Sequence, residues 1–148
     1  MYQSIKFSDR TGILATLDPA SVAASTVLTA WVPVSKWHAL AAILQTGVLG
    51  ASATVDAKLR QATDASGTSA KDITGKAITQ LVKASHDNKQ AVIEVKPEEL
   101  DTAGGFTHVA LSVTVGTAAS LLSAVLVGTN PRYMPASDFD NANVVQIV

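Results

Sequence analysis

The clearest pattern in the chain is an alternation of apolar and polar positions with a period of two. Within Gly105-Phe106-Thr107-His108-Val109-Ala110-Leu111-Ser112-Val113-Thr114-Val115-Gly116, the residues Val109, Leu111, Val113 and Val115 fall on one side of an extended backbone. His108, Ala110, Ser112 and Thr114 fall on the other, as in a strand with one face on a core. An apolar run, Leu121 to Val127, follows. Gly116-Thr117-Ala118-Ala119-Ser120 can turn the chain back, so the two stretches are expected to pair antiparallel at the centre of the domain.

The alternation recurs. In Ser52 to Ala62, Ala53, Val55, Ala57 and Leu59 alternate with Thr54, Asp56, Lys58 and Arg60, giving a core face and a wet face. Gln90 to Lys96 repeats it up to Pro97, and Thr26 to Val32 repeats it up to Pro33, which cannot donate to a ladder. Trp37 to Thr46 has helix-forming composition, but it is short and closed by Gly47 and Gly50, so it reads as a buried strand. Ile73 to Leu81 reads as a weaker strand with Gly75 at a bulge or close approach. Asp64 to Ser69 and His86 to Lys89 carry turn residues. Pro97 to Asp101 fits one helical turn, with proline first and acids near its start.

About eight short strands with turn signals between them predict an all-β fold, a single-domain antiparallel β-sandwich of jelly-roll-like type. Residues 1–25 read as an N-terminal arm, broken at Asp18-Pro19, with Ile13 to Leu17 as a potential edge strand. Residues 26–130 form the sandwich. Residues 131–148 form a C-terminal tail with little to bury until Val144-Val145-Gln146-Ile147-Val148, which is apolar again. That end is expected either to supply a last strand or to dock on a neighbour.

Composition narrows the function. At 148 residues the chain suits one domain. Eleven Lys+Arg against twelve Asp+Glu leave a formal net charge of -1, without a basic cluster, so no nucleic-acid partner is expected. Charged residues make up only 16% of the chain against a typical quarter, which points to surface hidden in an assembly. The absence of cysteine excludes disulfides and thiolate chemistry and fits assembly in a reducing cytoplasm. No secretion signal is expected from the first ten residues, and the longest apolar runs are too short to cross a bilayer as a helix.

No catalytic, metal or cofactor motif is legible. His38, His86 and His108 are far apart and lack close-spaced ligand partners. Glu98, Glu99 and Asp101 sit within one turn, which suits a solvated helix start better than two carboxylates facing across a cleft. Asp138 and Asp140 flank Phe139 without the spacing of a calcium loop. No serine occupies a nucleophile elbow, and the Gly47–Gly50 and Gly104-Gly105 stretches are turns, not phosphate loops. Trp31 and Trp37 are candidates for a sugar-stacking platform, though core or interface packing is the favoured reading of both.

A family resemblance extends this reading. Ala62-Thr63-Asp64, Lys71 to Thr79, Asp87-Asn88-Lys89-Gln90, Glu98-Glu99-Leu100-Asp101, Gly105-Phe106-Thr107-His108-Val109 and Pro131-Arg132-Tyr133 together resemble small virion proteins encoded among the head genes of tailed bacteriophages and prophages. The resemblance implies a non-enzymatic virion structural role, that of a capsid decoration (cement) protein made in the host cytoplasm. It implies the major capsid protein as partner, with further copies of the chain, a trimer being favoured. Arg132, Tyr133, Val144, Val145, Ile147 and Val148 are the expected interface residues. A tail, neck or fibre-associated part and a carbohydrate-binding sandwich are the alternatives, and a hydrolase would need an acid pair or a histidine–carboxylate contact in a cleft.

Overall fold

A computed structural model describes residues 4–148. Its strands are β1 (Thr11–Val22), β2 (Thr26–Leu28), β3 (Val32–Pro33), β4 (Trp37–Thr46), β5 (Thr54–Ala62), β6 (Lys71–Ala77), β7 (Leu81–Val82), β8 (Gln90–Val95), β9 (His108–Gly116) and β10 (Ser120–Pro131). One sheet runs in the order β1-β10-β4-β8; the other runs β2-β9-β5-β6, with β3 also on β9 and β7 also on β5. Every strand pairing is antiparallel. Counted with β2/β3 and β6/β7 as interrupted strands, each step along the chain crosses to the opposite sheet except β5 to β6/β7. That is jelly-roll connectivity, in which neighbours in the sheet come from distant parts of the sequence.

The two inner faces meet as the alternation predicts. Val55 and Leu59 of β5 and Val109, Leu111 and Val113 of β9 are fully buried against Leu40 and Leu44 of β4, Leu126 of β10 and Val95 of β8. β4 spans the same residues as the expected strand, Trp37–Thr46. Its alanines and leucines serve as small and large core fillers; helix propensity loses because both flanks are committed to sheet.

The expected pairing of the Gly105–Gly116 and Leu121–Val127 stretches does not occur. β9 pairs with β5, β2 and β3, whereas β10 pairs with β1 and β4. The physical reason is that both strands carry a strongly apolar face. In one sheet those faces would lie side by side; in facing sheets they cover each other, and Gly116–Ser120 bridges the sandwich edge. The Thr26–Val32 strand is interrupted. Thr29 turns inward, where its N–H donates to Leu111 O (3.0 Å) and its hydroxyl accepts from Leu111 N–H (3.0 Å), so β9 keeps its partners across the gap. The Ile73–Leu81 strand is likewise split, at residues 78–80, into β6 and β7; Gly75 sits in the irregular stretch of β6 between the Asp72 and Ala77 pairings, and its φ of 76° suits a residue without Cβ.

The expected edge strand is present in the N-terminal segment and takes up about half of it. β1 is a full edge strand against β10, longer than Ile13–Leu17, and register shifts at Ile13/Ala15 and Leu17/Ala20 absorb Pro19. Proline is tolerated there because an edge strand has N–H groups with no ladder to serve. Residues 1–3 of the expected arm lie outside the described residues.

The tail also differs from expectation, because its first half is anchored. Arg132 N–H donates to Lys36 O (2.8 Å), Asn141 N–H donates to Ile13 O (2.8 Å), and Asp140 Oδ1 accepts from Ile13 N–H (2.6 Å). Ala136 is fully buried, and the Phe139 ring meets Trp37 edge-on at 5.8 Å. Trp37 lies across Gly12 and Gly128, which are register partners; a Cβ on Gly12 would come within 2.8 Å of the indole. These residues close one end of the core. Val144–Val148 forms no strand.

Candidate interface on the uncharged sheet

The two outer faces of the sandwich differ in chemistry. On the β2-β9-β5-β6 side, Lys58 and Arg60 of β5 both reach Asp72 of β6, at 2.7 and 3.1 Å. Lys71 pairs with Asp101 and Lys76 with Glu99, while Lys83–Asp87 ties the connection from β7 to β8. These contacts hold the acids ionised. The Asp72 carboxyl lies below its ordinary range chiefly through the Lys58 hydrogen bond, Glu99 through Lys76, and Asp101 through Lys71. The pairs are exposed, so each adds little stability. Their main effect is to keep this face wet.

The β1-β10-β4-β8 sheet contains just two formally charged residues, Asp18 and Glu94. None of the ion pairs among the described residues involves these strands. Register places Thr16, Val125, Ile43 and Val92 in one row across its outer surface, and Ile13, Val127, Ala41 and Glu94 in the next. Ile43 is 39% exposed, Val92 56% and Leu121 47%. A monomer with one salt-bridged face and one nearly uncharged, partly apolar face has the asymmetry of an interaction surface.

The structure separates the residues that sequence reading had singled out for chemistry. His86 Nδ1 accepts from Val82 N–H (3.0 Å), and His108 Nδ1 contacts Thr107 Oγ1 (2.9 Å). Among the described residues no three His, Cys, Asp or Glu side chains converge on a metal-sized site. Glu99 and Asp101 are occupied by lysines, and Asp140 is occupied by Ile13. Trp37 is 1% exposed and serves the core. Trp31 is half-buried, with its indole against Gly67, so the two tryptophans make no shared platform. Of the expected interface residues, Tyr133 is 71% exposed, and Val145, Ile147 and Val148 are exposed as well. Sequence reading missed Ile43, Val92 and Val125. Val92 lies in an alternating strand, whereas Ile43 and Val125 lie in apolar runs that read as buried, and only the sheet order shows that the three share one outer face.

No protein-family model matches the sequence, and no curated protein matches it. Solved structures with similar shape include the SPBc2 prophage-derived protein YomS, at 8% identity over 85% of this chain and 100% of that one, with a TM-score of 0.47. A chain of the Cowpea Mosaic Virus empty virus-like particle is similar over 90% of this chain and 85% of that one, at 13% identity and a TM-score of 0.46. A CBM4 structure is similar over 71% of this chain and 61% of that one, at 13% identity and a TM-score of 0.41. At these scores the likeness is one of general sandwich shape.

Proposed function

We propose that the chain is a non-enzymatic virion structural protein, a capsid decoration (cement) protein that docks on the outer shell of a phage head. The observation that carries this reading is the segregation of charge: one face of the jelly roll is laced with ion pairs, and the other presents Ile43, Val92, Val125 and Leu121 with almost no charge. A cement protein gains its free energy by burying such a face on a preformed surface. Full burial of such a side chain is worth about 1.5–3 kcal/mol; with 39–56% of Ile43, Leu121 and Val92 still exposed, covering each contributes roughly half of that, and repetition over a lattice multiplies weak single contacts into avidity. The sequence resemblance to proteins encoded among phage head genes supports the same role. The major capsid protein is the proposed partner.

The test is the copy number and position of the chain in an intact particle, read by quantitative mass spectrometry and electron microscopy. Stoichiometric copies on the shell exterior support the reading; absence from purified particles, or a few copies at the tail, overturns it. Ile43→Asp and Val92→Asp are expected to lower affinity for undecorated shells by roughly tenfold or more each, since about 1.4 kcal/mol corresponds to a factor of ten. The melting temperature of Val92→Asp should stay near wild type, because that side chain is 56% exposed on an edge strand; Ile43→Asp should lower it modestly, because Ile43 is 39% exposed and packs between Val125 and Val92 on a central strand.

A further inference from the structure

We propose that Val144–Val148 of one copy adds as a strand to the free edge of β8 in a second copy. Three observations carry it. First, β8 is the sandwich edge left without protection. Among the described residues it pairs with β4 alone. Thr46 N–H donates to Lys89 O (2.9 Å), and that fixes the ladder phase: Ala91, Ile93 and Val95 turn their backbone groups to β4, and Gln90, Val92 and Glu94 turn theirs outward. Those outward groups have no hydrogen-bond partner among the described residues. The other edges are guarded. β1 carries Pro19 and two register shifts, and the tail takes both backbone groups of Ile13. β6 is charged and interrupted, while β2 and β3 are three and two residues long.

Second, an open groove runs along the β8 edge, between Ala91–Glu94 and the stretch Gly75–Thr79, with Ile78, Ala91 and Val92 in its lining. A strand laid there would extend the sheet and cover apolar surface. Third, Val144–Val148 is a largely apolar segment that pairs with no strand among the described residues. Val145 and Ile147 would share one side of an extended chain, and they are 94% and 54% exposed. Val145 to Val148 make no backbone hydrogen bond among the described residues.

The occupant must come from another copy. Asn141 is pinned to Ile13 on β1, and the register row Ile13–Val127–Ala41–Glu94 spans the whole sheet. A strand added beyond β8 would lie four strand spacings from β1, about 19 Å. Three Cα steps from Asn141 to Val144 reach at most about 11 Å, so a chain's own segment cannot lie along its own β8. Donor and acceptor sit at opposite edges of one sheet. Two copies can exchange the segment reciprocally, or the contact can run head-to-tail into a ring or filament. The contact goes beyond the decoration role and does not depend on it, because it is read in solution without a shell.

The experiment pairs two variants of the full chain. Deletion of Val144–Val148 removes the donor. Val92→Pro removes an outward N–H and leaves the β4 ladder intact. In sedimentation, wild type is expected to be oligomeric, and each variant alone is expected to be monomeric with a melting temperature close to wild type. Mixed together, the two should form a 1:1 complex, because each supplies what the other lacks. The deletion variant should also show amide shifts at Gln90, Val92 and Glu94 when titrated by NMR with a peptide of residues 143–148. A monomeric wild type, a mixture that stays monomeric, or no shift at those amides with peptide at about 1 mM would overturn the proposal. The titration decides the matter if Val92→Pro fails to fold.

Discussion

At the scale of single residues, the least forgiving place is the end of the core around Trp37. Gly12 and Gly128 are glycines because the indole lies where their Cβ atoms would be, a close approach no other residue allows. Gly128→Ala is expected to destabilise the fold by about 1–3 kcal/mol through overpacking, measured as a shift in the denaturant midpoint at unchanged slope. Phe139→Ala tests the same end from the tail. Loss of the edge-on contact to Trp37 and of the Lys36 ammonium over the ring, at 4.3 Å, should lower stability and change tryptophan emission. An unchanged emission spectrum would mean that the tail does not close the core in solution.

At the scale of elements, the interruption between β2 and β3 shows how a break in a strand is tolerated. Thr29 is 3% exposed and returns both of its polar groups to Leu111. Thr29→Val keeps the shape but leaves the Leu111 N–H without its acceptor, at a cost of about 1–3 kcal/mol, and hydrogen exchange at the Leu111 amide should speed up accordingly. The edges follow a related logic. Proline, bulges, short length and charge appear on β1, β2, β3 and β6, whereas β8 carries none of these except Glu94. An unguarded edge on a stable sandwich is a liability unless something pairs with it.

At the scale of the whole molecule, the separation of charge between the faces also sets the response to acid. Asp72, Asp87, Glu99 and Asp101 all titrate below their ordinary values of 3.8 for aspartate and 4.5 for glutamate, each first through a lysine hydrogen bond. A lowered folded-state value means that the stabilising contribution is complete above the unfolded value and is lost as pH falls through the folded one. Melting temperature should therefore hold steady from neutral pH to about 5 and fall below about pH 4. Asp72→Asn should flatten that fall. A variant that retains the full acid dependence would show that the Lys58 and Arg60 contacts are not formed in solution.

Much of this was legible before any coordinates. Alternation in Ser52–Ala62, Gln90–Lys96 and Gly105–Gly116 determined which side chains go inside, because a side chain on a pleated backbone has only two faces available. Clustered turn residues and proline placed most strand ends. Local pattern does not encode which strand neighbours which. β9 and β10 follow each other in sequence and end in different sheets, a choice made by the need of two apolar faces to cover one another. The docked tail was illegible for the same reason, since Ala136 and Phe139 find Trp37 only after distant strands have closed around it. The candidate interface was hidden most completely. Ile43 and Val125 stand in apolar runs and Val92 in an alternating strand, and they become a surface only when tertiary structure sets those strands side by side with little charge between them.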